Sequence, residues 1–385
     1  MTDGPGSPGL YVHVPFCLRK CRYCAFYSVA DLDSDAAMRF GGSLLGEMRM
    51  RLPSDTVFPT FYAGGGTPVL LEPSFWSEVF AAFPPTSRLA EDAEVTIEAN
   101  PAAVGLKDLQ DLRRSGFNRL SIGVQSFDDA LLEFLGRVHN GAQAEEMVRD
   151  ARKAGFESIG IDLMYGIPGQ TREDWLKDLR SAVDLGAEHI SCYSLTVEDG
   201  TPYGHSVKSG DAPVPDESLV AELYRATDEL LSRAGYQHYE VSNYAAGRKW
   251  RSRHNTAYWS GAAYLGFGPS AHSYDGRSRR SWNRLGLNEY LEAVESGGLP
   301  EADFENLSEG QLMLERIMLG LRTSDGVDLS NAGFEGEADE ALRNMFANWV
   351  SHGLCTVDGL RISPTSQGML MADGMASSLA AILDL

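Results

Sequence analysis

The sequence has no run of about 18 uninterrupted apolar residues, the length a bilayer-spanning helix requires, so no transmembrane segment is expected. It shows no leader either. Met1 to Gly9 is Gly/Pro-rich and lacks the charged and apolar regions of a signal peptide, which makes a cytoplasmic location the expectation. Cations are scarce: 33 Lys and Arg against 54 Asp and Glu leave a net charge of −21. A field of that sign repels phosphates and argues against nucleic acid or anionic lipid as a partner. Cysteine is also scarce. There are five, an odd number, and Cys17, Cys21 and Cys24 fall close together. Disulfide frameworks have paired and dispersed cysteines, whereas a tight group in a reducing compartment points to metal binding or catalysis. Cys192 and Cys355 stand alone and read as small buried hydrophobes. Internal repeats and low-complexity tracts are absent.

What is present is a strand–helix rhythm. The 385 residues allow two or three domains at roughly 150 residues each. Strand-like runs at 10–14, 60–63, 95–99, 119–124, 159–164 and 189–195 read as near-continuous apolar or β-branched segments, as if covered on both faces. Helical patterns lie between them, at 35–51, 73–83, 141–154, 171–185 and 216–234. Such alternation implies parallel strands joined by crossovers, and six units are too few for a complete eight-unit barrel. The fold class predicted is α/β, a partial (β/α)6 barrel over 1–235 with a smaller α+β C-terminal domain over 306–385. Residues 236–305 read as a connecting segment: a short strand at 239–242, a long loop to about Asn288, then a helix at 288–296. The tail reads as helix, Asp358-Gly359 hairpin and helix, a winged-helix-like module without the basic charge of the DNA-binding version.

The chemistry concentrates at the end of the first strand, where Cys17, Cys21 and Cys24 have the spacing C-x3-C-x2-C. Thiolates ligate soft metals, and iron–sulfur clusters are held mainly by cysteine. Three ligands on four irons leave one iron open, as a substrate-binding centre needs. Structural zinc requires a fourth ligand; His13 is the candidate, but it lies mid-strand and is not readily aimed at the loop.

This loop, following the first strand of a partial barrel, resembles the radical-SAM superfamily, which implies a [4Fe–4S] cluster on the three cysteines and S-adenosylmethionine at the open iron. Other strand ends support the likeness. Gly64-Gly65-Gly66-Thr67-Pro68 follows the second strand and is similar to the superfamily's glycine motif, which contacts the methionine amino group. Together with Glu98, Gln125 and Asp162 on the third to fifth strands, it resembles the ligand set of the oxygen-independent coproporphyrinogen oxidase family. By that resemblance Tyr11, Gly65, Glu98, Gln125, Arg137 and Asp162 contact S-adenosylmethionine, with Gly66 and Thr67 in the same motif. Tyr23 then lies near the adenine, and Thr196 is a looser match.

Three features separate the oxidase from its HemW-type haem-chaperone branch, and all point to the chaperone. Phe26 stands where the oxidase has a further cysteine. The N-terminal extension is short. His254-Asn255-Thr256-Ala257-Tyr258-Trp259 matches the chaperone's H-N-x-x-Y-W motif, and Tyr264 to His272 is again similar. The resemblance implies haem as ligand or cargo, a haem-acceptor protein and a flavodoxin- or ferredoxin-type electron donor. His254 is the candidate haem ligand, since histidine is a common axial ligand; the bland reading is a hydrogen-bonded histidine that orders its segment. The run Arg248-Lys249-Trp250-Arg251-Ser252-Arg253 reads as a partner for haem propionates, a dock for an acidic redox protein, or a solvated loop.

Overall fold

A computed structural model describes residues 7–30, 33–332, 334 and 339–385. The first six residues of the segment read as leaderless lie outside this range. Six parallel strands form the centre: β1 (Gly9–Val14), β2 (Val57–Gly65), β3 (Arg88–Ala99), β4 (Arg119–Gln125), β5 (Ser158–Tyr165) and β6 (His189–Ser194). Helices connect them: α1 (Ser34–Arg51), α2 (Pro73–Ala81), α3 (Leu106–Arg114), then α4 (Asp129–Leu135) and α5 (Gly141–Ala154), then α6 (Arg172–Asp184). After β6 come α7 (Pro202–Ser209) and α8 (Glu217–Arg233). The helix starts are written in the sequence. Asn140, Thr171 and Asp216 each accept a hydrogen bond from the first turn of the helix that follows. Of these helices, α3, α4 and α7 were not among the runs read from the sequence; each has nine residues or fewer.

The barrel strands are not apolar on both faces. Leu120, Ile122 and Val124 of β4, and Ile159, Ile161 and Leu163 of β5, are buried in the main core beneath the helices. Their neighbours Ser121, Gly123, Gln125 and Asp162 line a cavity on the other face. The strict period of two is hidden in the sequence because many inward positions hold glycine, serine or threonine rather than charge.

Residues 236–305 do not form a connector. They supply β7 (Gln237–Glu240), β8 (Asn243–Ala245), β9 (Tyr264–Phe267), β10 (His272–Tyr274), β11 (Arg279–Asn283) and β12 (Glu301–Asn306). All join the same twelve-stranded sheet, in the order β12-β11-β10-β9-β1-β2-β3-β4-β5-β6-β8-β7. The segment read as a loop to about Asn288 therefore contains four strands and one helix, α9 (Arg253–Trp259), before α10 (Leu287–Glu295). Of the short strands, β8 and β9 pair with β6 and β1, partners remote in sequence, so local pattern gives no sign of where they go.

A second cluster of buried side chains lies in the tail, around Ile317, Leu329, Phe346, Ile362 and Leu379. There β13 (Val327–Asp328), β14 (Cys355–Asp358) and β15 (Arg361–Pro364) form a three-stranded sheet in the order β13-β15-β14. Cys192 and Cys355 are both buried, the first in the main core and the second in this one. Among the described residues no helix is long and apolar enough to cross a membrane.

One buried carboxylate pins the 236–305 segment to the barrel. Glu47 of α1 is fully buried. It accepts hydrogen bonds from the Gly268 amide (2.9 Å), the Asn283 amide (2.7 Å) and the Tyr290 hydroxyl (2.8 Å), and pairs with Arg51. Glu47→Ala leaves the Gly268 amide and the Tyr290 hydroxyl without this acceptor and the part-buried Arg51 without its counter-charge, although Arg51 and Asn283 keep the Gly266 and Gly268 carbonyls. It is expected to cost about 3–5 kcal/mol of unfolding free energy, read as a lowered urea midpoint, with Glu47→Gln intermediate.

Candidate functional site

The cysteine loop is built from its backbone outward. Phe16–Cys17 pairs in parallel with Val29–Ala30, which closes the loop at its base. The Cys24 amide donates to the Cys21 carbonyl at 3.3 Å, a tight turn that brings the last two cysteines round. The loop's own cations clasp the C-terminal end of α4, the carbonyl-rich pole that favours positive charge. Arg19 donates to the Gly136 carbonyl (2.6 Å) and the Arg137 carbonyl (2.7 Å), and the Arg22 amide donates to the Leu135 carbonyl (3.2 Å). Gly136 takes φ +76°, a left-handed turn that ends α4 and sends Arg137 back towards the cysteines.

Arg137 then ties the site together. Its guanidinium donates to Cys21 Sγ at 3.3 Å, to Asn100 Oδ1 and to the Gly123 carbonyl. Asn100 donates onward to Thr67 Oγ1 at 2.8 Å, and Thr67 Oγ1 lies 3.7 Å from Cys17 Sγ as its donor. A polar chain thus runs from one cysteine to another through residues on three strand ends. Burial pushes the Cys17 and Cys24 thiols up, with the Thr67 contact pulling the other way at Cys17.

All three cysteines face a cavity of about 710 Å³ at the C-terminal ends of the barrel strands. Tyr23, Gly65, Gly66 and Thr67 line it, as do Glu98, Gln125, Arg137, Asp162 and Thr196. These residues, assigned from the sequence, are therefore brought together. Tyr11 is not on this cavity; its hydroxyl is 3.1 Å from His13 Nδ1, and it lines a second cavity behind the loop. His13 is also spent. Its Nε2 is 2.9 Å from the Tyr27 carbonyl, so neither ring nitrogen is open to a metal.

Glu98 and Asp162 are the buried acids of the cavity. Glu98 accepts from the Tyr62 hydroxyl (2.7 Å) and the Gly65 amide (3.1 Å), and burial pushes its carboxyl up to about 7. Burial raises Asp162 as well, against hydrogen bonds from Ser191 and Ser121. Both shifts are in the direction that a nearby cationic ligand would reverse. Gln125 adopts φ +67° at the end of β4, beside a register shift in the pairing with β5. A non-glycine residue in that region is a local strain of the kind found at ligand sites.

His254 does not reach the cavity. It is buried, with Nδ1 2.8 Å from Thr60 Oγ1 and Nε2 2.9 Å from the Tyr258 hydroxyl, and burial drives its pKa down to about 3. With both nitrogens engaged, the ring presents no lone pair to haem iron. Axial ligation by His254 does not fit this arrangement, whereas the ordering role does. Glu94 of β3 explains why: it accepts from the Arg253 and His254 amides, both at 2.9 Å, and so seats the N-terminus of α9 inside the barrel. Asn255 of the same motif, with Ser252 before it, lines the cavity instead. The cationic run is partly committed as well. Arg251 pairs with Asp325 and Arg253 with Asp92, both exposed acids. Asn100, Tyr62, Ser121 and Ser191 are functional neighbours that reading the sequence did not single out; their signal was a polar residue at an inward strand position.

The donor set fits an iron–sulfur cluster: three thiols on one cavity, two of them contacted by hydrogen-bond donors that stabilise thiolate charge. Among the described residues no three His, Cys, Asp or Glu are gathered tightly enough to close on a single ion. A cubane instead spreads its thiolates over three irons.

The glycine motif is sterically required. Gly65 has φ +103°, and a Cβ there would lie 2.5 Å from the His13 ring. Gly65→Ala is expected to lose about 2–4 kcal/mol in urea unfolding, from backbone strain and overpacking together.

Comparison with known proteins agrees with this geometry. The radical SAM superfamily pattern matches residues 11–182, and the HemN C-terminal domain pattern matches 307–371. The heme chaperone HemW of Mycobacterium tuberculosis is 36% identical over 97% of this chain and 95% of its own. That of Bacillus subtilis is 35% identical over 87% and 88%. Among solved structures, coproporphyrinogen III oxidase (HemN) from Escherichia coli aligns with a TM-score of 0.83 at 25% identity, over 98% of this chain and 91% of its own. The chain belongs to the radical SAM superfamily and, within it, to the family of the heme chaperone HemW.

Proposed function

We propose that this protein is a haem chaperone that keeps a [4Fe–4S] cluster on Cys17, Cys21 and Cys24, binds S-adenosylmethionine in the barrel cavity and passes haem to an acceptor protein. The observation that carries the reading is the shared cavity: three thiols at one end and two buried acids, Glu98 and Asp162, on the walls. When bound, the cluster supplies one-electron chemistry at the sulfonium. A flavodoxin- or ferredoxin-type protein is the matching electron source. The chain's own residues position and shield. Arg137 and Thr67 hold charge at the sulfurs. Glu98 and Asp162 offer negative charge to the ligand's cationic groups. Gly65 and Gly66 bring backbone close to it, and Gln125 sits at the strand end opposite.

The second reading is oxidative decarboxylation of coproporphyrinogen III, favoured by the whole-chain likeness to HemN. Phe26 weighs against it, because it stands where the oxidase resemblance calls for a cysteine. Anaerobic reconstitution separates the two. The chaperone reading expects four irons per chain lost in the Cys17→Ala variant, a Soret band on titrating haem, and no vinyl product from coproporphyrinogen. Vinyl product would replace it with the oxidase.

The raised acids make a pH prediction. A cationic ligand favours ionised Glu98, so binding near neutrality releases a proton. Affinity for S-adenosylmethionine should therefore rise with pH and level off above about 7, the value at which Glu98 ionises in the free protein. Equilibrium dialysis across that range measures it, and Glu98→Gln should bind more weakly and flatten the slope.

A further inference from the structure

The second cavity, behind the cysteine loop, has a volume of about 500 Å³. Its lining is aromatic. Tyr11, Tyr27, Tyr258 and Tyr264 form part of the wall, with Tyr258 and Tyr264 packed edge to face at 4.7 Å between ring centres. Phe26 and Leu285 also line it, and they are 67% and 62% exposed. Together with the tyrosine rings they give the cavity an apolar rim that a flat apolar ligand would cover.

The histidines narrow the question. Two histidines line this cavity, His13 and His272, and His13 spends both ring nitrogens on the Tyr11 hydroxyl and the Tyr27 carbonyl. His272, at the exposed rim of the cavity, is the one that remains there among the described residues; His205 lies on α7 and does not line it. The His272 ring lies 5.8 Å from that of Trp282, its partner across β10 and β11, which fixes its plane. Partial burial and the nearby Arg280 guanidinium both lower its pKa, the direction that favours a metal-binding imidazole. Lys20 also lines the cavity, and Arg284 immediately precedes Leu285. No ion pair commits either cation among the described residues.

We propose that haem binds in this second cavity, with the His272 imidazole as axial ligand, the tyrosine rings and Phe26 against the porphyrin, and Lys20 and Arg284 near the propionates. The proposal rests on the haem-chaperone reading and goes beyond it by naming the site. Binding forms one bond, from a ring nitrogen lone pair to ferric iron, and releases a coordinated water. The proton on the other ring nitrogen stays, and no electron moves. The site differs from the one suggested by the H-N-x-x-Y-W motif: Tyr258 of that motif is a wall residue, and His254 stands behind it as the hydrogen-bond partner of the Tyr258 hydroxyl.

The test is titration of the full-length, cluster-reconstituted protein with ferric haem, read at the Soret band. His272→Ala is expected to weaken binding at least about tenfold and shift the band, and added imidazole should restore its position. Leu285→Glu, at an exposed position that tolerates polarity, should weaken binding severalfold. His205→Ala should leave it unchanged. Wild-type binding with an unaltered His272→Ala spectrum and affinity would overturn the site while leaving the chaperone reading intact. No Soret band with the wild-type protein would overturn both.

Discussion

A guanidinium buried among thiols sets the terms for the site. A cation removed from water is costly unless a counter-charge and hydrogen-bond acceptors surround it. Arg137 has the acceptors, in the Asn100 side chain and the Gly123 carbonyl, and one sulfur, that of Cys21. In the proposed cluster that sulfur would be a metal-bound thiolate, which supplies the missing counter-charge. The position of Arg137 depends in turn on the left-handed Gly136 and on Arg19, which holds the carbonyls of both residues. The loop that bears the cysteines therefore carries the clamp that places the cation beside them.

The inner wall of the barrel follows the same logic on a larger scale. Its outward face is sealed by Ile, Leu and Val beneath the helices, so stability comes from that side. The inward face is thereby left to carry Glu98, Asp162, Ser121 and Gln125 with little packing of its own. Polar groups held away from bulk water keep their partners few and their carboxyls raised. Such a wall suits a ligand that brings positive charge, since the carboxyls have hydrogen-bond donors around them but no paired cation among the described residues.

Much of this was legible in the sequence, and the failures are physical. The six barrel strands and the longer helices carry local signals, an apolar run or a capped amphipathic repeat, and they fall within a few residues of their places. The cysteine spacing and the glycine motif are local too. By contrast, β8 and β9 have three and four residues and are placed by β6 and β1, strands remote in sequence, and β10 and β11 extend the sheet from β9. No window of their own sequence contains that information. Glu47 looks like one more surface acid of a helix until Asn283 and Tyr290, more than 230 residues on, converge upon it. His254 illustrates the other limit. Its motif names the residues that matter, but only geometry shows that Asn255 faces the cavity while His254 spends both nitrogens holding the helix.

The two cavities share a wall, and that wall is the cysteine loop. Lys20, Ala25 and Phe26 line both. On one side of Phe26, Cys24 is fixed by the turn to Cys21. On the other, the Tyr27 carbonyl accepts from His13 at 2.9 Å and the Tyr27 hydroxyl accepts from the Leu287 amide at 2.7 Å. The backbone at Phe26 is thus held from both ends while its ring projects into water. A side chain so placed adds nothing to the core; its value lies in what it touches when a ligand arrives. Cysteine at the same position offers a soft ligand to a metal, whereas phenylalanine offers an apolar face to a flat ring. Under the proposed haem site, Phe26, two residues after Cys24, would thus bear on the choice between doing chemistry on a tetrapyrrole and holding one.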